Sequence, residues 1–431
     1  MSARLFIIVF TLLKLLYYVF TCIVMDKQRK KPLPKEVSDI YDQERYETYL
    51  NYVKDNRKLS VVIKIVSFMI LVILTYSNMY EKIDAIAKGN VYLIYFMTYA
   101  IYFIVETIES YLFQYYDTFY VEAKYGFNKK DKKEFHKDFF LGIFTEMLLM
   151  PLLSVIVIFI GEHLPIWTNG FTMDVKIVTL ICLGISLIFA IFILFANFVS
   201  LWMLKKQYTF TLLEEGELKD KINALQEGAK KKVKKIYVYN ESKKSTSKNA
   251  FLLRFLWIRE FGIADNFISE NAEEELLAVL SHEIGHLKHK KNIFDILTYG
   301  FGISIFALLV YALCNIEVVD GLLSWICTSF DVNSNNYYMN IQIITYMIAP
   351  FMFLFDVYHN AIIRSQEYEA DKEAVKNGYG EALIATFKKM SSDELINVNP
   401  ASIIEFLEYD HPGMYHRIKA IMEANQKKDN R

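Results

Sequence analysis

The chain has 431 residues, 54% of them hydrophobic and 16% aromatic, with 16 Gly, 7 Pro and a formal net charge of −1. Uninterrupted apolar runs on this scale exclude an ordinary soluble protein. The four scattered cysteines (Cys22, Cys182, Cys314, Cys327) exclude a disulfide framework or a Cys-rich metal site. The near-zero charge selects no partner, and nucleic acid is not expected as one.

Seven apolar runs are long enough to cross a bilayer: about 5–25, 59–79, 91–113, 139–161, 177–204, 293–315 and 341–363. The first is too long for a signal peptide, lacks a small-residue cleavage site and carries its basic flank, Lys27 to Lys31, on the far side, so it reads as an uncleaved anchor. Segments 26–58, 114–138, 205–292 and 364–431 are rich in Lys and Arg, whereas loops 80–90, 162–176 and 316–340 hold two, one and none. The positive-inside rule then puts the N-terminus outside the cytosol and the C-terminus within it. Glu106, Glu109, Glu146 and Asp356 fall inside spans. Ionisable groups at that depth either pair between helices or face a hydrated cavity, and both readings stand.

The chain divides at 1–204 (spans one to five), 205–292 (a cytosolic catalytic segment), 293–363 (spans six and seven) and 364–431 (a cytosolic tail). Within the catalytic segment, 218–234 reads as a helix ending in the basic run 230–235, which is a solvated helix end or, less simply, an anionic-lipid contact. Lys235 to Tyr239 reads as a strand, Glu241 to Lys248 as a polar turn, and Asn249 to Ile258 and Phe261 to Ile268 as further strands. A helical run, Glu273 to Lys290, follows.

That run holds His282-Glu283-Ile284-Gly285-His286. Positions i and i+4 share one helix face, so the two imidazoles can close on one metal ion with Glu283 beside them. A catalytic zinc takes three protein ligands. His289 points partly away, and the longer metzincin pattern fails at His289 and Asn292. The better source lies just past span seven, where Glu367 and Asp371 are again i and i+4. One carboxylate can bind the metal while the other orients a ligand histidine, and Glu367 is taken as the ligand. Metal-assisted hydrolysis follows, with Glu283 moving the proton from water to the leaving amine. His411 and Arg417 in the tail qualify as oxyanion donors.

With these residues in place, the chain resembles the type I CAAX prenyl proteases from about residue 40 to 420. The resemblance is carried by Glu122 to Lys129 (containing Gly126-Phe127-Asn128-Lys129), Leu213 to Leu218, Ser247-Lys248-Asn249-Ala250-Phe251, the histidine motif, Arg364-x-x-Glu367-Tyr368-x-Ala370-Asp371 and His411-Pro412-x-x-x-x-Arg417, in that order. It departs at Ile363, at Gly413 and at Phe251-Leu252-Leu253-Arg254.

The resemblance implies a mainly α protein: a seven-helix membrane bundle enclosing a water-filled chamber, with a small cytosolic α+β zinc-protease domain of gluzincin type. It implies one Zn2+ on His282, His286 and Glu367, with Glu283 as general base and acid and Asp371 behind the ligands. Asn249, with Ala250 and Phe251, would hold the substrate backbone by strand addition. His411 and Arg417 would line the cleft and help stabilise the transition state. The expected activity is removal of the last three residues of prenylated Cys-a-a-X proteins, with a further upstream cut in some, by a monomer in the endoplasmic reticulum or inner nuclear membrane. Two alternatives use the same sequence differently: a quality-control protease clearing misfolded or translocon-stalled proteins, and a seven-span receptor or transporter without zinc.

Overall fold

The computed structural model describes residues 1–163, 175–227, 232–255, 258–288 and 317–429. The long elements are helices: α1 (Ala3–Arg29), α2 (Gln43–Tyr76), α3 (Met79–Ala87), α4 (Val91–Tyr116), α5 (Lys132–His163) and α6 (Val175–Gln207). After the catalytic segment come α10 (Glu317–Phe330), α11 (Tyr337–Lys376), α12 (Gly380–Asp393), α13 (Ser402–Glu408) and α14 (Met414–Asp429). Polar side chains start several of them: Asp42 accepts from the Arg45 N–H at 2.7 Å and Asn90 from the Leu93 N–H at 3.0 Å.

Among the described residues, six helices are long and apolar enough to span a membrane, and they carry predicted spans one to five and seven. The sixth predicted span, 293–315, lies outside the described residues, as do His289 and Asn292. Large apolar side chains on these helices face outward, among them Ile73, Leu112, Leu187, Phe351 and Leu354. In water such a surface would drive aggregation, whereas hydrocarbon is its proper solvent. The protein is a multi-pass membrane protein.

Several of these helices outrun the bilayer, and α11 does so furthest. α11 has 40 residues, about 60 Å of helix against ~30 Å of hydrocarbon. One rigid element therefore both crosses the membrane and carries Glu367 and Asp371 beyond span seven. Inside the bundle, Glu106 lines two cavities, of about 590 Å³ with Glu146 and about 430 Å³ with Glu109. The Ser67 hydroxyl donates to Glu109. Glu106, Glu109 and Glu146 thus adjoin cavities, and Glu109 also finds a partner on a neighbouring helix.

The catalytic segment differs from its sequence reading at its edges. A short strand β1 (Phe210–Leu212) precedes α7 (Glu217–Leu225), which ends well before residue 234. The Gln226 side chain instead accepts the Val233 N–H at 2.6 Å and closes a loop back to the sheet. Residues 228–231, which include the start of the basic run, lie outside the described residues. β2 (Lys235–Tyr239) falls where predicted, followed by β3 (Ala250–Phe255) and β4 (Ile258–Ala264). The expected strand to Ile268 stops early because Asp265 starts α8 (Asp265–Glu270), accepting the Asn266 and Ser242 N–H groups. The sheet order is β1-β2-β4-β3, with β2 and β4 parallel and the outer pairs antiparallel. β3 is therefore an edge strand.

One sheet face packs on α9 (Glu273–Lys288) through Ala250, Phe261 and Ile263 against Leu277, Leu280 and Ile284. A second core joins the linker after span one (Val37, Ile40, Tyr41, Tyr49) to Ala278 of α9, to Ala374 and Val375 of α11, and to the C-terminal helices at Leu383, Phe387, Ile418 and Ile421. Segments far apart in sequence thus close around the motif helix.

Candidate metal centre

The helical spacing of His282 and His286 puts their Nε2 atoms 3.2 Å apart. His286 Nε2 lies 3.2 Å from Glu367 Oε1, and His282 Nε2 lies 3.5 Å from Glu367 Oε2. Tetrahedral sites with bonds near 2.0–2.1 Å have ligand–ligand edges of about 3.3 Å, which is the spacing seen here. Facing imidazole nitrogens at this distance cannot satisfy each other when both present lone pairs, but they can share a cation. Glu367 Oε2 is buried without a hydrogen-bond partner, an orphan acceptor of the kind that a metal satisfies. The chemistry of the donor set and its spacing fit zinc.

The surroundings are built for positive charge. His282 Nδ1 lies 2.8 Å from Asp371 Oδ1. Donation from Nδ1 leaves the Nε2 lone pair facing the other ligands. Burial works against a charged His282, yet the neighbouring carboxylates of Asp371 and Glu367 outweigh this and raise its pKa to about 9. Arg417 then grips Asp371 with two bonds, Nε to Oδ2 at 2.9 Å and Nη2 to Oδ1 at 2.6 Å. Its guanidinium also lies over the Phe387 ring at 4.3 Å and 3.5 Å from Glu367 Oε2. Arg417 is 5% exposed, so it braces Asp371 from behind the ligands.

His411 is placed differently. Its side chain is 57% exposed, its Nε2 sits 3.5 Å from Glu367 Oε1, and its Nδ1 lies 2.9 Å from Asp410 Oδ1. Of His411 and Arg417, it is the exposed one. Half-buried Glu283 has its carboxyl pushed above the usual range by burial, with His282 and His286 pulling the other way. A raised carboxyl pKa is the direction that general acid–base work calls for.

Asn249 is exposed at the start of the edge strand, and its carbonyl accepts the Ala264 N–H at 2.9 Å. Ala250 turns into the core shared with α9, while alternation sends Phe251 to the opposite face, over Tyr239 at 5.2 Å.

Two residues that matter here were passed over in the sequence. Gly285 faces Ala370 of α11, where an added Cβ would stand 2.7 Å from the Ala370 Cα. Only hydrogen fits there, and this close approach lets Glu367 reach across to the histidines. Its place inside the histidine motif was the available signal. Glu405 holds the tail loop, accepting the Gly413 N–H and meeting His416 Nδ1, each at 2.9 Å. Gly413 supplies an N–H that a proline there would lack.

A membrane-helix bundle with a buried His-His-Glu centre at its edge defines the class: an integral-membrane zinc metallopeptidase. Residues 23–194 match the family described as CAAX prenyl protease N-terminal, five membrane helices, and residues 212–425 match peptidase family M48. The chain belongs to the M48 peptidases, in the type I CAAX prenyl protease family. It is 27% identical over 325 residues to an Arabidopsis thaliana CAAX prenyl protease 1 homolog, covering 74% of this chain and 70% of the relative. It is 26% identical over 419 residues to a probable CAAX prenyl protease 1 of Schizosaccharomyces pombe, covering 93% and 84%. The crystal structure of S. mikatae Ste24p shares the fold, with a TM-score of 0.76 at 21% identity over 98% of this chain and 99% of that one.

Proposed function

We propose that this protein removes the C-terminal three residues of prenylated Cys-a-a-X proteins at a zinc site formed by His282, His286 and Glu367. The observation that carries the reading is the near-tetrahedral spacing of the three side chains on α9 and α11, with the sheet whose edge strand is β3 packed against α9. Zinc bound there would polarise a peptide carbonyl and acidify a water. Asp371 holds His282 in the required tautomer, and Arg417 holds Asp371. β3, with Asn249 just ahead of it and Ala250 at its start, aligns the substrate backbone by hydrogen bonding along its free edge. Glu283 takes a proton from the attacking water and delivers it to the departing amine. His411, exposed and adjacent, donates to the developing oxyanion.

We assign the active site to the cytosolic side and the N-terminus to the lumen of the endoplasmic reticulum, on the distribution of Lys and Arg between loops. The cavities around Glu106 are the natural parts of an internal chamber.

The test is cleavage of a farnesylated Cys-a-a-X peptide by purified wild type and Glu283→Gln, with metal analysis of both. The reading expects zinc in both proteins and a loss of about 10²–10⁴ in kcat for the variant. Zinc without cleavage by wild type would move the function to clearance of misfolded or stalled membrane proteins. Folded protein with neither zinc nor cleavage would end the enzymatic reading.

A further inference from the structure

The proposed substrate edge, β3, needs something to fix it, because an edge strand has a neighbour on one side only. The chain just ahead of it is clamped at several points. The Ser247 hydroxyl and the Lys248 N–H both donate to Glu394 Oε1, at 3.0 and 3.1 Å. Lys248 Nζ reaches Asp393 at 3.0 Å and Glu270 at 3.3 Å. The Asn266 side-chain amide donates to the Ser247 carbonyl at 2.8 Å.

Glu394 is itself fixed from the membrane side. It follows α12, whose terminal carbonyls are capped from the linker between spans one and two. Tyr41 donates to the Ser391 and Ile396 carbonyls at 2.7 and 2.6 Å, and Arg45 to those of Ser392 and Asp393 at 2.8 and 2.6 Å. The next residue, Leu395, has φ of +53°, a conformation that costs a non-glycine residue roughly 1 kcal/mol or more and persists only where its surroundings impose it. The loop after α4 completes the clamp, with the Thr246 N–H donating to the Phe127 carbonyl and the Lys129 N–H to the Lys244 carbonyl.

We infer that Glu394 is a positioning residue for peptide hydrolysis: through Ser247 and Lys248 it sets the place of Asn249 and the β3 edge that receives the substrate backbone. This inference rests on the reading of β3 given above. Glu394 touches neither substrate nor metal ligand, so its effect falls on substrate alignment and not on the metal centre. A cavity of about 310 Å³ borders it, lined by Tyr52, Glu122, Phe127, Asn128, Lys130 and Ser247 among others. Water there can occupy the space left by a truncated side chain, which favours folding of the variant.

The experiment compares full-length wild type, Glu394→Ala, Glu394→Gln and Ser247→Ala on a farnesylated Cys-a-a-X peptide, with zinc content and hydrogen exchange measured alongside. Glu394→Ala should raise KM about tenfold, the effect of losing one or two buried hydrogen bonds, with kcat within about twofold. Zinc content should stay at the wild-type level. Glu394→Gln keeps an acceptor oxygen and should restore KM, while Ser247→Ala should fall between and serves if the alanine variant does not fold. Amides of residues 247–252 should exchange faster in Glu394→Ala, with those of α9 unaltered. Unchanged KM and exchange in the alanine variant, or a glutamine variant as impaired as alanine, would overturn the assignment. Should wild type fail to cleave the peptide while the exchange difference holds, the substrate reading fails and the brace stands; if both fail, so does the brace.

Discussion

Gly285→Ala tests the helix contact on which the metal centre depends. The new Cβ would lie 2.7 Å from the Ala370 Cα and 3.1 Å from its Cβ and carbonyl oxygen. Ordinary carbon contacts need 3.5–4.0 Å, so α9 and α11 must part by about 1 Å. Backbone atoms cannot swing aside as a side-chain tip would. Histidines on one helix and a carboxylate on the other must then bridge a gap far wider than the ~0.2 Å that zinc bonds tolerate. Zinc affinity should fall about 10–100-fold, the usual scale for disturbing the support of a metal ligand. Stability should change much less: overpacking costs about 1–3 kcal/mol, while alanine in a helix interior recovers about 1 kcal/mol over glycine. Zinc competition against a fluorescent chelator, with thermal unfolding of the metal-free protein, separates the two effects. A variant that bound zinc as tightly as wild type would refute the argument that helix proximity sets the site.

Three more outcomes are expected. Asp371→Ala should destabilise the metal-free protein by about 3–5 kcal/mol, because it removes both carboxylate hydrogen bonds of the buried Arg417 guanidinium and leaves only Glu367 Oε2 at 3.5 Å; denaturant unfolding would show it, and a loss below 1 kcal/mol would mean that Glu367 suffices as its partner. Burial tends to raise the Glu405 carboxyl pKa, but His416 and the Gly413 N–H outweigh this and hold it below its ordinary value. Its contribution is therefore present above the unfolded carboxyl pKa of about 4.3 and is lost as pH falls through the lower folded value, so the gap between wild type and Glu405→Gln at pH 7 should shrink as pH falls below the unfolded value; a gap in denaturation midpoint that stayed constant with pH would contradict this. For topology, a cysteine at Lys88 should react with an impermeant maleimide only from the lumenal side of sealed microsomes, and one at Glu423 only from the cytosolic side; the reverse pattern would invert the assigned orientation.

Local signals explain what was legible in advance. An apolar run reports a membrane span because hydrocarbon demands it wherever the rest of the chain goes, and six helices bear those runs out. The histidine pairing was equally legible, since a four-residue spacing on one helix needs no tertiary contact. β2 and the motif helix were found for the same reason. The end of α7, the three-residue β1 and the stop of β4 at Ala264 were not, because side-chain caps and cross-strand partners from elsewhere in the chain decide them.

The sequence by itself determined the membrane-spanning character, the two histidines and their glutamate, and a family whose motif order pointed to Glu367. Tertiary structure decided the rest. Gly285 against Ala370 sets how closely α9 and α11 approach, and the grip of Arg417 on Asp371 turns that residue to bracing while His411 stays exposed. The 40-residue α11 carries a carboxylate from the membrane to the motif helix. Such contacts join positions far apart along the chain, and no local pattern records them; they exist only once two cores have packed around α9.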